Sequence, residues 1–294
     1  MKVVELFTAS PNPSQRVRDN ELDLFGLTHA GNVRTENQDH FLVCTVHPEV
    51  LVHGTSLPNA AALPLRGERV ATLILVADGV GGGDAGSDAS RIATETVMRY
   101  VTSTLSCYHA AGTSNESTLL ESLSTAALEA HQAVRAEAAD HPDVLSMATT
   151  LTIGLGVWPW LYVVQLGDSR GYYYWNHDVH QVTRDQTVGQ DLVDQGFMSP
   201  DKLSRSPFRD VLSSAAGAEE AVPEVSRVRI DRLGSALLFC TDGLTKHVSD
   251  EEIADVIAGQ TCSEDVCRAL LDLALTRGGT DNITIVVARR RQSH

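Results

Sequence analysis

Strand-like runs in this sequence follow one another, and helical patterns come in blocks of their own. Runs rich in β-branched and aromatic residues, bounded by Gly, Pro and Asp, cover 22–29, 40–46, 70–77, 149–157, 161–166, 171–175, 236–241 and 282–288. Helical spacing fills 84–106, where Ile92, Val97, Val101 and Leu105 recur, and 116–139, after Ser117 and Glu121. Residues 249–276 read as two helices, the first opened by Ser249 with Glu252 three residues on, a capping box. Alternating βαβ units would interleave the two kinds of segment. The observed order predicts sheets packed on each other and covered by helices. The stretch LYVVQLGDSRGYYYW (161–175) reads as a hairpin around a polar turn.

With 294 residues and 43% hydrophobic content, the chain can bury one large core or two small ones. Residues 1–20 read as a polar tail in which 2–8 can still add an edge strand, and 21–291 as the globular domain. Within it, 47–69 is an excursion without clear period, and 186–222 is irregular and rich in Ser, Gly and Asp. The terminal RRRQSH reads as a solvated basic tail. The net charge of −15 argues against nucleic acid as a partner, because phosphate backbones demand a basic surface. The five cysteines, Cys44, Cys107, Cys240, Cys262 and Cys267, lack Cys-x-x-Cys spacing and read as small apolar residues of a reducing compartment. No apolar stretch reaches the ~20 residues that span a bilayer, and the N-terminus lacks the pattern of a secretory leader. A cytoplasmic monomer, away from membranes, is expected.

One local pattern recurs. An apolar run ends or begins at an aspartate beside a glycine: LILVADG (Asp78, Gly79), VVQLGDS (Asp168), ALLFCTDG (Asp242) and GGTDNITIVV (Asp281). Asp39 also sits just before a strand-like run. Strand ends hold side chains rigidly, and a glycine lets a backbone carbonyl approach an ion. Gathered carboxylates repel one another and need cations or protons, and all-oxygen donors suit Mg²⁺ or Mn²⁺ better than zinc. An Asp-Gly pair alone is an ordinary turn. Four such aspartates in one chain, each at a strand boundary, favour a shared metal site.

Three other motifs lead nowhere. Gly81, Gly83 and Gly86 match G-x-G-x-x-G, but no acidic residue ends a second strand about 20 residues on, as a dinucleotide site requires. Gly167-Asp168-Ser169-Arg170-Gly171 matches G-x-S-x-G, but it runs into strand-like Tyr-Tyr-Tyr-Trp, where a nucleophile elbow enters a helix. His177 and His180 fall in a polar turn with no partner set at metal spacing.

The ordered series Gly31-Asn32-Val33-Arg34-x-x-Asn37-Gln38-Asp39, Asp78-Gly79-Val80-Gly81-Gly82, Ala148-Thr149-Thr150-Leu151, Gly167-Asp168-Ser169-Arg170, Thr241-Asp242-Gly243-Leu244 and Gly279-Thr280-Asp281-Asn282-Ile283-Thr284 resembles the PPM (type 2C) protein phosphatases, the bacterial branch most. The resemblance covers nearly the whole chain. It implies an α+β fold, a four-layer α-β-β-α sandwich of two antiparallel sheets with helices on both outer faces. It implies hydrolysis of phosphoserine and phosphothreonine on proteins by a water bridging two Mn²⁺ or Mg²⁺ ions. Asp78 bridges the ions in this scheme, with the Gly79 carbonyl on one of them. Asp242 and Asp281 complete the first ion's set, and Asp168 with Asp242 serves a third, weaker site. Arg34 binds the substrate phosphate. Asp39 and Asn282 orient waters or neighbouring carboxylates, and 186–222 corresponds to a mobile flap. Phosphorylated proteins and a cognate Ser/Thr kinase are the implied partners.

Two departures stand out. Gln38 occupies a position where the family commonly has Glu, and Val80 one where eukaryotic members carry a histidine. Two rival readings remain at this stage: a pseudophosphatase that binds phosphoproteins without hydrolysis, and a serine hydrolase built on Ser169.

Overall fold

A computed structural model describes residues 17–49, 51–53, 56, 65–110, 116–141 and 146–291. Edge-strand formation by residues 2–8 therefore lies outside the described residues, as do about half of the excursion at 47–69 and the last three residues of the basic tail. From Val17 the chain is tied down: Arg69 donates to the Val17 carbonyl and pairs with Asp19, beside a 3₁₀ turn at Asp19–Glu21.

The first sheet holds β1 (Leu22–His29), β11 (Ile283–Arg290), β10 (Ala236–Cys240), β7 (Arg170–Trp175) and β8 (Asp178–Gln181), in that order. The second holds β2 (Asp39–Val46), β3 (Ala71–Gly81), β5 (Leu151–Val157), β6 (Trp160–Leu166) and β9 (Glu224–Arg229), with the short β4 (Met147–Thr149) beside β3. Every strand pair is antiparallel. The inner faces meet through residues such as Ile74, Val76, Tyr173, Phe239 and Val286. The outer face of the second sheet packs under α1 (Ala85–Ala110) and α2 (Glu116–Asp140) through Leu73, Leu75, Val97 and Leu123. That of the first packs under α6 (Asp250–Gly259) and α7 (Ser263–Thr276) through Leu238, Ile257, Leu270 and Ile285. The result is the expected α-β-β-α sandwich. Alternation explains it: on each inner strand one set of side chains feeds the inter-sheet core and the other a helical layer.

Ser249 caps α6 as expected, accepting from the Glu252 N–H while the Glu252 carboxylate accepts from the Ser249 N–H. The expected hairpin at 161–175 does not form. β6 and β7 lie in different sheets, so residues 167–169 carry the chain from one layer to the other. The strand β7 does make a hairpin, but with β8, through Asn176 and His177, both at positive φ. His177 therefore sits in a turn and His180 on a strand. The segment 186–222 is less irregular than expected, since α3 (Val188–Asp194) and α4 (Pro200–Leu203) lie in it.

No helix among the described residues is long and apolar enough to cross a membrane.

Candidate metal centre

Antiparallel registers bring the recurring aspartates to one end of the sandwich. Asp39 opens β2 and faces Asp78 near the end of β3. Asp242 follows β10, Asp281 precedes β11, and Cys240 faces Ile285 between them. Asp168 lies in the inter-sheet crossing, next to Arg170, which faces Cys240.

Asp78 is gripped through its backbone. Its N–H donates to Thr150 Oγ1 (2.9 Å), and its carbonyl accepts from the Thr149 hydroxyl (2.9 Å) and the Thr150 N–H (2.9 Å). Gly79 leaves no room for a side chain, since a Cβ would meet the Gly86 carbonyl at 2.2 Å in the first turn of α1. Gly243 is constrained in the same way, since a Cβ there would meet the Asn282 carbonyl at 1.9 Å, and its absence lets the chain after β10 pass tightly beside that before β11.

The crossing at 167–169 is held from all sides. Gly167, at φ +98°, donates to Gln186 Oε1 (2.8 Å), and Gln165 Nε2 donates to the carbonyls of Gly167 and Ser169 (3.0 Å each). Ser169 is fully buried, with its hydroxyl 2.7 Å from Thr150 Oγ1. Its hydroxyl meets another hydroxyl and no base among the described residues, and it has no access to solvent, which removes the serine-hydrolase rival.

Asp39 is buried, and its Oδ2 accepts from Thr241 (2.8 Å) and Thr284 (2.7 Å). Burial pushes its carboxyl up to about 7, against the pull of those two hydroxyls. Burial, then the charges of Asp39, Asp242 and Asp168, raises Asp78 well above the usual carboxylate range. Burial also raises Asp168, to about 8, and raises Asp242 despite the Lys246 ammonium beside it. Burial favours a neutral Asp281 too, but hydrogen bonds from Lys246 and Arg34 outweigh it and hold the group below its ordinary value.

The loop carrying Arg34 is tied to the start of β11. Asn282 accepts from the Gln38 N–H (2.8 Å) and donates to the carbonyls of Ala30 (3.0 Å) and Glu36 (2.8 Å). Its amide thus serves the loop backbone. Arg34, 56% exposed, forks onto Asp281, with Nε 2.8 Å from Oδ1 and Nη2 3.1 Å from Oδ2. Gln38 uses its amide as a donor to the Gly83 carbonyl (2.6 Å), a bond a carboxylate does not make.

Two observations bear on whether divalent ions fit. Asp39 Oδ1 and Asp242 Oδ1 are buried and accept no hydrogen bond from the described residues, so each has acceptor capacity directed into the acidic end. Five carboxylates, Asp39, Asp78, Asp168, Asp242 and Asp281, share that end, with carboxylate and carbonyl oxygens as donors of the kind hard cations take. As they stand, no three His, Cys, Asp or Glu side chains among the described residues form a closed ligand set. Asp281 and Asp242 are instead occupied by Arg34 and Lys246.

Sequence reasoning assigned no role to Thr150, Thr241, Thr284 or Lys246. The threonines lie inside or beside the motif series, and only the fold shows what their hydroxyls meet. Lys246 follows Asp242 by four residues, a spacing that brings the two side chains together across one turn.

The layered sandwich defines a class, that of four-layer α-β-β-α folds with a cluster of aspartates at one end of the sheets. The chain belongs to the protein phosphatase 2C family, whose sequence profile matches residues 55–271. The serine/threonine protein phosphatase PstP of Mycobacterium tuberculosis is 36% identical over 218 residues, 74% of this chain, and the match spans 40% of that relative's length. A crystal structure of the M. tuberculosis serine/threonine phosphatase PstP/Ppp superposes with a TM-score of 0.71 at 30% identity, over 92% of this chain and 99% of that one. The catalytic domain of PstP solved with two manganese ions superposes at 0.70 with 28% identity, over 92% and 99% of the two chains.

Proposed function

We propose that this chain is a metal-dependent phosphatase of phosphoserine and phosphothreonine in proteins. The observation that carries the reading is the gathering of five aspartates at one end of the sandwich, two of them with buried carboxylate oxygens that accept no hydrogen bond from the described residues. PstP, solved with two manganese ions, supports Mn²⁺ or Mg²⁺ as the cofactor. Asp78, Asp242 and Asp281 would hold two ions with the Gly79 carbonyl, and Asp168 with Asp242 would serve a third. Bound there, such ions supply charge that acidifies water and neutralises the phosphoryl oxygens.

The chain's own residues do the positioning. Thr149 and Thr150 fix the backbone of Asp78, while Thr241 and Thr284 orient Asp39 beside it. Arg34 stands exposed at the mouth, and its planar fork matches two phosphate oxygens as it now matches the two of Asp281. Gln38 ties down the 81–83 loop, so it contributes no charge to the second ion. The segment 186–222 acts as a flap, a cognate Ser/Thr kinase supplies the phosphoproteins, and the enzyme works as a cytoplasmic monomer.

The test is release of phosphate from a phosphothreonine peptide with Mn²⁺ and with EDTA. Release that needs the metal supports the reading. A chain that takes up Mn²⁺ and binds the peptide without turnover would restore the pseudophosphatase.

A further inference from the structure

Lys246 has no part in the mechanism above, yet it stands in the middle of the acidic end. One turn, α5 (Asp242–Thr245), separates it from Asp242. Its Nζ lies 2.7 Å from Asp242 Oδ2 and 2.8 Å from Asp281 Oδ2, with a quarter (25%) of the side chain exposed. These two carboxylates come from different strand ends, and the ammonium bridges them. It offsets one of the two negative charges of the pair proposed for the first ion, at the distances of charge-assisted hydrogen bonds.

A divalent ion and this ammonium compete for the same oxygens, and their like charges repel at close range. Arg34 grips the same Asp281 from the other side, with Nε 2.8 Å from Oδ1, so both oxygens of that carboxylate face a cation of the chain itself. We infer, resting on the metal-site reading above, that Lys246 is a built-in counter-cation. It holds Asp242 and Asp281 together in the metal-free chain, must release them for the first ion to bind, and so sets that ion's affinity. Any interaction confined to the metal-free form subtracts from metal affinity by the same free energy. The lysine thus trades tight metal binding for a metal-free chain whose acidic end is neutralised in part.

Isothermal titration of Mn²⁺ into the metal-free full chain tests this, beside Lys246→Gln, Lys246→Met and the exposed control Lys202→Gln. Both Lys246 variants are expected to bind the first ion about tenfold tighter, as loss of a partly buried ion pair implies. Their metal-free forms should melt lower than wild type, and saturating Mn²⁺ should close most of that gap. Lys202→Gln should change the affinity less than about twofold, which separates a direct contact from general charge. First-ion affinity unchanged or weaker in both Lys246 variants, with wild type binding normally, overturns the inference and leaves the metal site standing. An equal gain in Lys202→Gln also overturns it. If wild type takes up no Mn²⁺, the metal-site reading itself fails and the inference falls with it.

Discussion

Asp39 faces Asp78 directly across β2 and β3, so two carboxyl groups leave the same face of one ladder. Like charges so placed destabilise a sheet. Natural sequences accept such a conflict where it serves a site, and here it leaves both groups favouring protons in the metal-free chain.

Stability of the metal-free chain should therefore fall as pH rises from about 4 to about 8. The unfolded carboxyls release their protons near the ordinary value of 3.8, whereas folded Asp39 and Asp168 keep them to about 7 and about 8. Between those limits the native chain binds more protons, which makes the slope negative. The lowered Asp281 acts only below the window, because its contribution is complete above the unfolded value and lost only in stronger acid. The raised Lys246 contributes fully below its unfolded value and is lost only in strong base. Urea midpoints at pH 5.5 and 8.0 measure the effect, and Mn²⁺ should flatten it. A higher midpoint at pH 8.0 without metal would contradict the electrostatic picture.

Replacing Thr284 by Val removes one of two donors to the buried Asp39 carboxylate. The expected loss is about 1–3 kcal/mol of stability, as for other buried acceptors deprived of a partner. Chemical denaturation of the metal-free protein reads it. A change below about 0.5 kcal/mol would mean that Asp39 does not depend on this bond.

Asp242→Asn and Asp281→Asn should lose at least about a hundredfold in kcat while keeping a native circular dichroism spectrum, since each removes a ligand charge from the reacting centre. Steady-state kinetics on a phosphothreonine peptide at saturating Mn²⁺ decides the point. Turnover near wild type in either variant removes that residue from the ligand set.

Arg34→Ala should raise KM for the peptide more than it lowers kcat, and Arg34→Lys should rescue little, because an ammonium lacks the planar fork. A pure kcat effect would place Arg34 on the ion ligands alone, where its present contact with Asp281 already holds it.

Much of this architecture is legible in the sequence, and the failures have physical causes. Runs such as LILVA and ITIVV state their strand nature through β-branching, and the aspartates that bound them mark the strand ends. The inter-sheet crossing at 167–169 was hidden, because a strand-turn-strand pattern looks the same whether its arms pair or part. What parts them is distant: Gln186 and Thr150 hold the crossing, while β10 and β9 take the partner edges. β9, Glu-Val-Ser-Arg-Val-Arg, escaped notice because an edge strand needs few apolar residues. β8 is too short and polar to show a period, and its hairpin turn uses Asn176 and His177 at positive φ without glycine. The aspartates of the acidic end were readable one by one. Their shared supports, Thr150, Thr241, Thr284 and Lys246, were not, because each acts on a residue that only folding brings near.

Anomalous diffraction at the manganese edge, from crystals soaked in Mn²⁺, tests the central claim most directly. Two strong peaks should lie among Asp78, Asp242 and Asp281, with Asp78 touching both and Lys246 Nζ withdrawn from Asp242 and Asp281. Those three carboxylates without a peak between them, at a manganese concentration that supports turnover, would contradict the account.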